Sequence, residues 1–268
     1  MRLAVALVVL LSLAACQPSD AADSQPDKTT KLTANKSAVS ACKADRFEGV
    51  SLTVCTAIPG QHKVTTALGP DGGTPYRHLA IFAAQRPLSA PPVAFAMNGG
   101  MYDDKGQPIG YYVERGQRLH RLNRNTGPGN FHMLPNGVFY ATGDTWAVTS
   151  ADTFADTVKN RPDFATQSGP MLVIDGKLHP EIANDGASTH VRNGVGVGED
   201  GRAYFVISDG PLSFGKFARY FRDALKVPNA LYLDGKVSSL WDPAKGRLDN
   251  MAPLGPLIVV EQSGKGEL

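Results

Sequence analysis

The sequence predicts an α+β protein, with strand-rich mixed sheets, hairpins, at least one β-α-β unit and few helices. Three observations predict this class: short apolar runs bounded by Gly or Pro, tight-turn pairs between those runs, and one amphipathic helix. Of the 268 residues, 42% are hydrophobic, which is enough for a sizeable core. The net charge of +2 comes without basic clusters, and this argues against nucleic acid as a partner.

The predicted strands are short, as buried strands between turns usually are. In chain order they span 47–54, 79–83, 93–97, 111–114, 137–141, 145–148, 171–174, 177–179, 194–198, 203–208 and 230–233. Asp175-Gly176 and Asp200-Gly201 each lie between two such runs, and Asp-Gly accepts the positive φ of a tight hairpin turn. We therefore interpret these two pairs as turns and not as sites.

The clearest helix is predicted over 213–226. Its apolar side chains recur at the spacing of a single helix face: Phe214, Phe217, Ala218, Phe221 and Leu225. Ser213 is a suitable N-cap, and Pro228 ends the segment. A shorter helix is predicted over 151–158.

Residues 1–16 have the features of a bacterial lipoprotein signal. The uncharged apolar run 3–15 is shorter than the about 20 residues of a membrane-spanning helix. It ends in Leu13-Ala14-Ala15-Cys16, which resembles a lipobox whose cysteine receives the lipid. An ordinary secretory signal with a chance cysteine is the alternative. Because Gln17 follows the cysteine, we expect a lipid anchor in the outer membrane of the bacterial cell envelope, facing the periplasm.

Residues 17–40 are predicted to be a flexible tether, because they carry little apolar surface to bury. Residues 41–268 contain no linker or repeat and are predicted to form one domain. Within that domain, Cys42 and Cys55 would lie in an oxidising compartment. We expect a disulfide that pins the first strand, and two buried thiols are the alternative.

Three apolar runs end in a polar residue followed by glycine: Asn98-Gly99-Gly100, Asp209-Gly210 and Asp234-Gly235. The two strands on either side of the clear helix are predicted to form a β-α-β unit with it. Asp209 and Asp234 would then follow neighbouring parallel strands, at the edge where open sheets bind ligands. Although each pair alone is also typical of a turn, we expect the two carboxylates to share a cleft.

Motifs for metal and nucleophile chemistry are absent from the sequence. The six histidines show no His-Glu-x-x-His spacing, so no metal site is predicted. Gly-x-Ser-x-Gly, a Walker loop and a dinucleotide fingerprint before a helix are also missing. We expect no cofactor, and a bound Ca²⁺ ion is left open.

A series of motifs runs in order along the domain: Asn98-Gly99-Gly100-Met101-Tyr102, Gln167-Ser168-Gly169-Pro170, Arg192 with Gly194 and Gly196, Ser208-Asp209-Gly210, and Leu233-Asp234-Gly235 with Ser238-Ser239. In this order they resemble the phosphodiester glycosidase family. Pro108-Ile109-Gly110 and Gly129-Asn130-Phe131 resemble its bacterial lipoprotein branch. The resemblance implies a hydrolase acting at the anomeric carbon of a sugar-1-phosphodiester or a related glycan linkage.

The resemblance also implies roles for these residues. Asp209 and Asp234 would be the nucleophile or base and the acid or electrostatic group, in unassigned order, because an oxocarbenium-like transition state needs a nearby carboxylate. Arg192 would bind phosphate together with backbone N–H groups. Asn98 and Ser168 would orient sugar hydroxyls. The other expected substrate-binding positions are Gly99, Gly100, Gly169, Gly210, Gly235 and Ser238.

The sequence departs from the family pattern at one place. Family members carry a longer glycine run after the last Asp-Gly, whereas Lys236 and Val237 stand here. Lys236 would either pair with phosphate or point to solvent, so the substrate is affected more than the fold. Two alternatives to an envelope glycosidase stay open: a glycan-binding lipoprotein without catalysis, and a phosphodiesterase that attacks phosphorus.

Overall fold

The computed structural model describes residues 39–70 and 74–263. The predicted signal peptide, the Cys16 lipobox and nearly all of the tether lie outside the described residues, so they stay predictions. In the described part, no helix is both long and apolar enough to cross a membrane.

Three α-helices and nineteen strands are present in the described residues. The helices are α1 (Leu79–Gln85), α2 (Ala151–Thr157) and α3 (Phe214–Arg219). The strands are β1 (Cys42–Phe47), β2 (Val50–Ala57), β3 (His62–Ala67), β4 (Val93–Asn98), β5 (Tyr112–Glu114), β6 (Gln117–His120), β7 (Gly137–Thr142), β8 (Thr145–Ser150), β9 (Phe164–Ser168), β10 (Met171–Ile174), β11 (Lys177–Leu178), β12 (Thr189–His190), β13 (Asn193–Val197), β14 (Ala203–Ser208), β15 (Leu212–Ser213), β16 (Asn229–Tyr232), β17 (Leu240–Asp242), β18 (Arg247–Leu248) and β19 (Leu257–Gln262).

The strands form three large sheets and one small one. The seven-stranded sheet has the order β1-β2-β14-β13-β16-β10-β11, and the five-stranded sheets have the orders β18-β17-β4-β19-β3 and β6-β5-β9-β7-β8. Strands β12 and β15 pair separately. The predicted strand-rich α+β class is confirmed. The large sheets meet where the buried rings of Phe95, Phe139 and Phe205 pack edge to face, one ring from each sheet.

Two predicted strands are wrong. The run 79–83 is part of helix α1, in which Leu79 and Phe82 are buried at helical spacing while Ile81 is exposed. A five-residue apolar run fits either structure, and periodicity alone does not separate them. The run 47–54 crosses the turn between β1 and β2, where Glu48 and Gly49 have φ of 43° and 82°. It therefore forms parts of two strands and not a single one.

The predicted helices are confirmed, with altered ends. Helix α3 begins after its N-cap Ser213, whose hydroxyl accepts a hydrogen bond from the Lys216 backbone N–H at 3.2 Å. A π-helical turn over Tyr220–Ala224 replaces the last part of the regular helix. Side chains of this helical segment lie directly over the glycines of β13, so a Cβ on Gly194 would contact Phe217. These glycines therefore allow close packing of helix and sheet.

The predicted β-α-β unit needs one correction. Strands β14 and β16 are joined through α3, yet they are not neighbours, because β13 lies between them and is antiparallel to both. Since both run opposite to β13, they point the same way and end at the same edge of the sheet. Asp209 and Asp234 therefore follow strands at one edge, separated by the width of an additional strand.

The expected disulfide between Cys42 and Cys55 is present. The two residues face each other across β1 and β2, with Cα atoms 3.8 Å apart. The bridge therefore closes the first hairpin, and β2 in turn pairs with β14, the strand that precedes Asp209.

Candidate active site

A cavity of about 440 Å³ lies at the edge where β14 and β16 end. Its polar lining consists of Ser208, Asp209, Lys236, Ser238, Arg247 and Asp249, and the Gly235 backbone also faces it. Asp209 follows the seven-stranded sheet, whereas Arg247 lies on β18 of a five-stranded sheet. The cavity thus lies between two sheets and is lined by two carboxylates, Asp209 and Asp249, and two cations, Lys236 and Arg247.

Asp234 immediately precedes the cavity residue Gly235 and is half-buried. Burial raises the pKa of its carboxyl to about 6, although the Lys236 backbone N–H and the nearby Lys236 charge act in the opposite direction. Its backbone N–H donates to the Gly99 carbonyl at 3.3 Å. Asp234 is therefore a carboxyl group that changes charge close to neutral pH and whose backbone is fixed by a neighbouring sheet.

Asn98 supports this loop and does not face a substrate. Its amide nitrogen donates to the Asp234 carbonyl oxygen at 2.8 Å, and its amide oxygen accepts from the Ser239 N–H at 2.8 Å. The same oxygen accepts from the Asn193 side chain at 3.0 Å. The predicted role of Asn98 in orienting sugar hydroxyls is therefore wrong, because its amide atoms are used inside the protein and the residue is 1% exposed.

Asn193 was not identified from the sequence, yet it completes this network. Its amide nitrogen donates to the Asn98 carbonyl oxygen at 3.1 Å, and its amide oxygen accepts from the Ser238 hydroxyl at 3.3 Å. The two asparagines therefore join β4, β13 and the loop that carries Asp234. A lone Asn before a Gly-rich strand gives no local signal of such a role.

We expect Asn193→Ala to lower the free energy of unfolding by about 2 kcal/mol, because it leaves buried polar partners unsatisfied. Urea denaturation measures this loss. Asn125→Ala removes an exposed asparagine and serves as the control, with an expected change within about 0.5 kcal/mol. Equal stability of the two variants would show that the asparagine pair does not hold the loop.

Asp209 has different surroundings from Asp234. Its carboxylate is exposed and accepts a hydrogen bond from the Thr53 hydroxyl at 3.1 Å. Arg247 Nη1 lies 3.4 Å from the same carboxylate oxygen. The Asp209 backbone N–H is held by the Ser51 carbonyl at 3.0 Å. The two predicted carboxylates thus differ in burial: Asp209 is partly exposed beside a cation, whereas Asp234 is half-buried and has no salt-bridge partner among the described residues.

Arg192 is not brought to the cavity. Its side chain is fully buried, with the guanidinium 3.6 Å above the Phe214 ring. It donates to the Leu212 and Ser188 carbonyl oxygens, each at 2.9 Å, and to the Tyr232 hydroxyl at 3.2 Å. The predicted phosphate-binding role is therefore corrected, because the helix α3 segment covers this guanidinium. Arg192 holds Tyr232 and the segment before α3 in place.

The glycines at the strand ends fall into two groups. Gly176 and Gly201 have φ of 76° and 75°, which confirms that their Asp-Gly pairs are turns. Gly100 and Gly235 have no positive φ, and a Cβ would overlap the Gln167 carbonyl oxygen or the Tyr232 hydroxyl, respectively. These two glycines are therefore required by close packing and not by turn geometry.

The remaining predicted positions are only partly brought together. Ser238 lines the cavity and donates to the Gly235 carbonyl at 2.9 Å. Gly99 packs beneath the Asp234 loop, and Gly210 is in open space beside Asp209. Ser168 and Gly169 lie at the junction of β9 and β10 and are not among the cavity residues; the Ser168 hydroxyl is buried without a hydrogen-bond partner in the described residues.

Four further cavity or supporting residues were missed by the sequence analysis: Thr53, Tyr232, Arg247 and Asp249. Thr53, Arg247 and Asp249 are distant in sequence from the Asp-Gly motifs. Tyr232 ends β16, two residues before Asp234, but its place in an apolar strand does not mark its hydroxyl as a partner of Arg192. Within residues 39–70 and 74–263, no cluster of three or more His, Cys, Asp or Glu side chains is arranged to hold a metal ion.

Comparison with known proteins agrees with this architecture. Residues 92–255 match the pattern that defines the family described as "Phosphodiester glycosidase". The chain belongs to the phosphodiester glycosidase family. It is 40% identical over 172 residues to "Uncharacterized protein YigE" of Escherichia coli strain K12, covering 64% of this chain and 67% of that protein. Membership confirms the family that the ordered motifs indicated and supports a hydrolase.

Solved structures share the fold. The catalytic domain of zebrafish N-acetylglucosamine-1-phosphodiester alpha-N-acetylglucosaminidase, auto-inhibited by its pro-peptide, superposes with a TM-score of 0.59 at 16% identity, covering 83% of this chain and 82% of that one. A hypothetical protein from Synechocystis gives a TM-score of 0.53 at 15% identity, covering 83% and 61%. At these identities the likeness concerns the fold alone.

Proposed function

We propose that this phosphodiester glycosidase hydrolyses a sugar-1-phosphodiester by attack at the anomeric carbon. The observation that carries the proposal is Asp234, a half-buried carboxyl whose pKa is raised by burial to about 6 and which immediately precedes the cavity residue Gly235. Perturbed carboxyls beside clefts are typical of acid–base sites. The zebrafish relative is named for action on a phosphodiester of N-acetylglucosamine, which supports the same substrate class here.

Asp234 acts as the general base in this proposal. A base with a pKa near neutrality combines an ionised state with useful proton affinity. It takes a proton from water while the water oxygen bonds to the anomeric carbon. The bond from that carbon to the phosphate oxygen breaks, and the phosphate leaves with the bonding electrons. Because phosphate is a good leaving group, no strong acid is needed. The Asp209 carboxylate stabilises the positive charge that develops on the sugar.

The pH dependence of kcat/KM tests the assignment of Asp234. A base with a pKa of about 6 must be ionised to act, so kcat/KM should fall about tenfold per pH unit below pH 6 and level off above it. An acid at the same position would give the opposite slope, with activity lost as the pH rises. A profile that falls above pH 6 would reverse the role of Asp234.

The reaction itself is tested by measuring reducing sugar released from N-acetylglucosamine-1-phosphodiesters in ¹⁸O-labelled water. We expect the label in the sugar, because water attacks carbon. Label in the phosphate would instead identify a phosphodiesterase. If glycans bind but no ester is cleaved, the protein is a glycan-binding module and the proposal fails.

A further inference from the structure

The buried position of Arg192 leaves the substrate phosphate without the cation that the sequence indicated. We propose that Arg247 and Lys236 form an anion subsite in the cavity and bind the phosphoryl group of the substrate. The inference rests on the proposed function for the identity of the substrate, while the subsite itself rests on the cavity geometry. Both side chains line the cavity: Arg247 extends from β18, and Lys236 extends from the turn that follows β16.

Arg247 is held by Asp249 through Nε and Nη2, which leaves Nη1 as the nitrogen that can exchange its partners for a ligand. Asp249 accepts from Arg247 Nε at 3.1 Å and from Nη2 at 2.8 Å. Asp249 is itself fixed by the Leu240 backbone N–H at 3.0 Å. This arrangement orients the guanidinium and leaves Nη1 facing the cavity side, where planar N–H groups suit phosphate oxygens.

The present contacts of Arg247 Nη1 are weak enough for a bound anion to displace them. Nη1 lies 3.2 Å from the Thr53 hydroxyl and 3.4 Å from an Asp209 carboxylate oxygen. The ion pair with Asp209 is long, and both side chains are about one-third exposed, at 30% and 36%. Partly exposed ion pairs of this length contribute little stability. A phosphate oxygen that displaces Asp209 from Nη1 exchanges a weak contact for a charge-assisted hydrogen bond.

Lys236 supplies the second cation of the subsite. The Lys236 side chain is exposed and, in the described part of the chain, forms no salt bridge, although its charge acts on Asp234. A lysine ammonium binds phosphate as a point charge. The Ser238 hydroxyl is already donated to Gly235 and Asn193 and is not part of the subsite. Lys236, which replaces a small family residue, is thereby assigned to phosphate rather than to solvent.

Calorimetric titration of the full-length protein with inorganic phosphate tests the subsite. Arg247→Gln should weaken phosphate binding by roughly ten- to a hundred-fold, the loss expected for hydrogen bonds to a charged group. Arg247→Lys keeps the charge and should recover part of the affinity. Arg222→Gln is the matched control, because Arg222 forms the same kind of two-point pair with Asp223 and does not line the cavity; its phosphate affinity should be unchanged.

Asp209→Asn should change the affinity for phosphate in the opposite direction to Arg247→Gln. Removing a negative charge beside Arg247 should tighten phosphate binding several-fold while it slows hydrolysis. In kinetics, Arg247→Gln should raise KM for the phosphodiester more than it lowers kcat.

The subsite is refuted if the wild type binds no phosphate, or if Arg247→Gln binds it as tightly as the wild type. If phosphate binding depends on Arg247 but the protein hydrolyses no phosphodiester, the subsite stands and the proposed reaction is refuted. If the protein hydrolyses the phosphodiester and Arg247→Gln leaves KM unchanged, the reaction stands and the subsite is refuted.

Discussion

Asp234→Asn will slow sugar release by about 10²- to 10⁴-fold, because it removes the base that activates water. The same substitution will make the folded protein more stable above neutral pH. A substitution lowers activity and raises stability together where the native residue is needed for catalysis but destabilises the folded state. Sugar release under saturating substrate and the melting temperature at about pH 8 measure the two effects.

The sign of the stability change follows from the pKa of Asp234. The carboxyl has a pKa of about 6 in the folded protein, whereas an unfolded aspartate has a pKa of about 3.9. The folded state therefore holds the proton more tightly. The stabilisation from this proton is complete below about pH 4 and is lost as the pH rises through 6. Ionised Asp234 then destabilises the fold by up to about 3 kcal/mol, and neutral asparagine removes that cost.

Asp152→Asn is the control for this experiment. Asp152 is exposed and pairs with Arg124 at 3.2 Å, so its replacement should change neither the rate nor the difference in stability between acid and alkaline pH. At about pH 4 the Asp234→Asn variant should be no more stable than the wild type, since the native carboxyl is then protonated. A variant that loses stability at about pH 8, or one that keeps full activity, would remove Asp234 from the proposed role.

Local chemistry made much of the fold predictable. Asp175-Gly176 and Asp200-Gly201 were identified as turns because only a few residue pairs accept positive φ, and both form hairpins. Ser213 was identified as an N-cap from its position before an apolar helix face, and its hydroxyl caps α3. Each of these features depends on only a few adjacent residues, so the sequence alone is enough to predict it.

The site was less predictable, because its geometry depends on contacts between distant segments. Asp209 and Asp234 were expected at one edge, but the insertion of β13 between their strands is a choice of pairing that no local pattern determines. Whether Arg192 faces the cavity depends on the packing of Phe214 over its guanidinium. Arg247 reaches Asp209 across 38 residues, from a two-residue strand that has no motif of its own.

Gly235→Ala should lower hydrolysis by about a hundredfold, even though it adds a single methyl group, because small displacements of catalytic groups have effects of this size. The new Cβ would overlap the Tyr232 hydroxyl. Tyr232 is 2% exposed and accepts the Arg192 hydrogen bond at 3.2 Å, so its ring has little room to move. The loop must shift instead and carry Asp234 and Lys236 with it, at a cost of about 1–3 kcal/mol of stability.

Gly176→Ala separates this effect from ordinary turn strain. Gly176 has a φ of 76° and open space around it, so alanine there strains the backbone by about 1 kcal/mol without moving the cavity. Its hydrolysis rate should equal that of the wild type. The double variant Gly235→Ala with Tyr232→Phe lacks the nearest overlapping atom, although two ring carbons 2.7 Å from the new Cβ remain. It should recover part of the stability, and unfolding measured for both single variants and the double variant gives their coupling. Equal losses of activity in Gly176→Ala and Gly235→Ala would show that the Tyr232 hydroxyl does not set the position of the Asp234 loop. Additive changes in the free energy of unfolding for the substitutions at 232 and 235 would show the same.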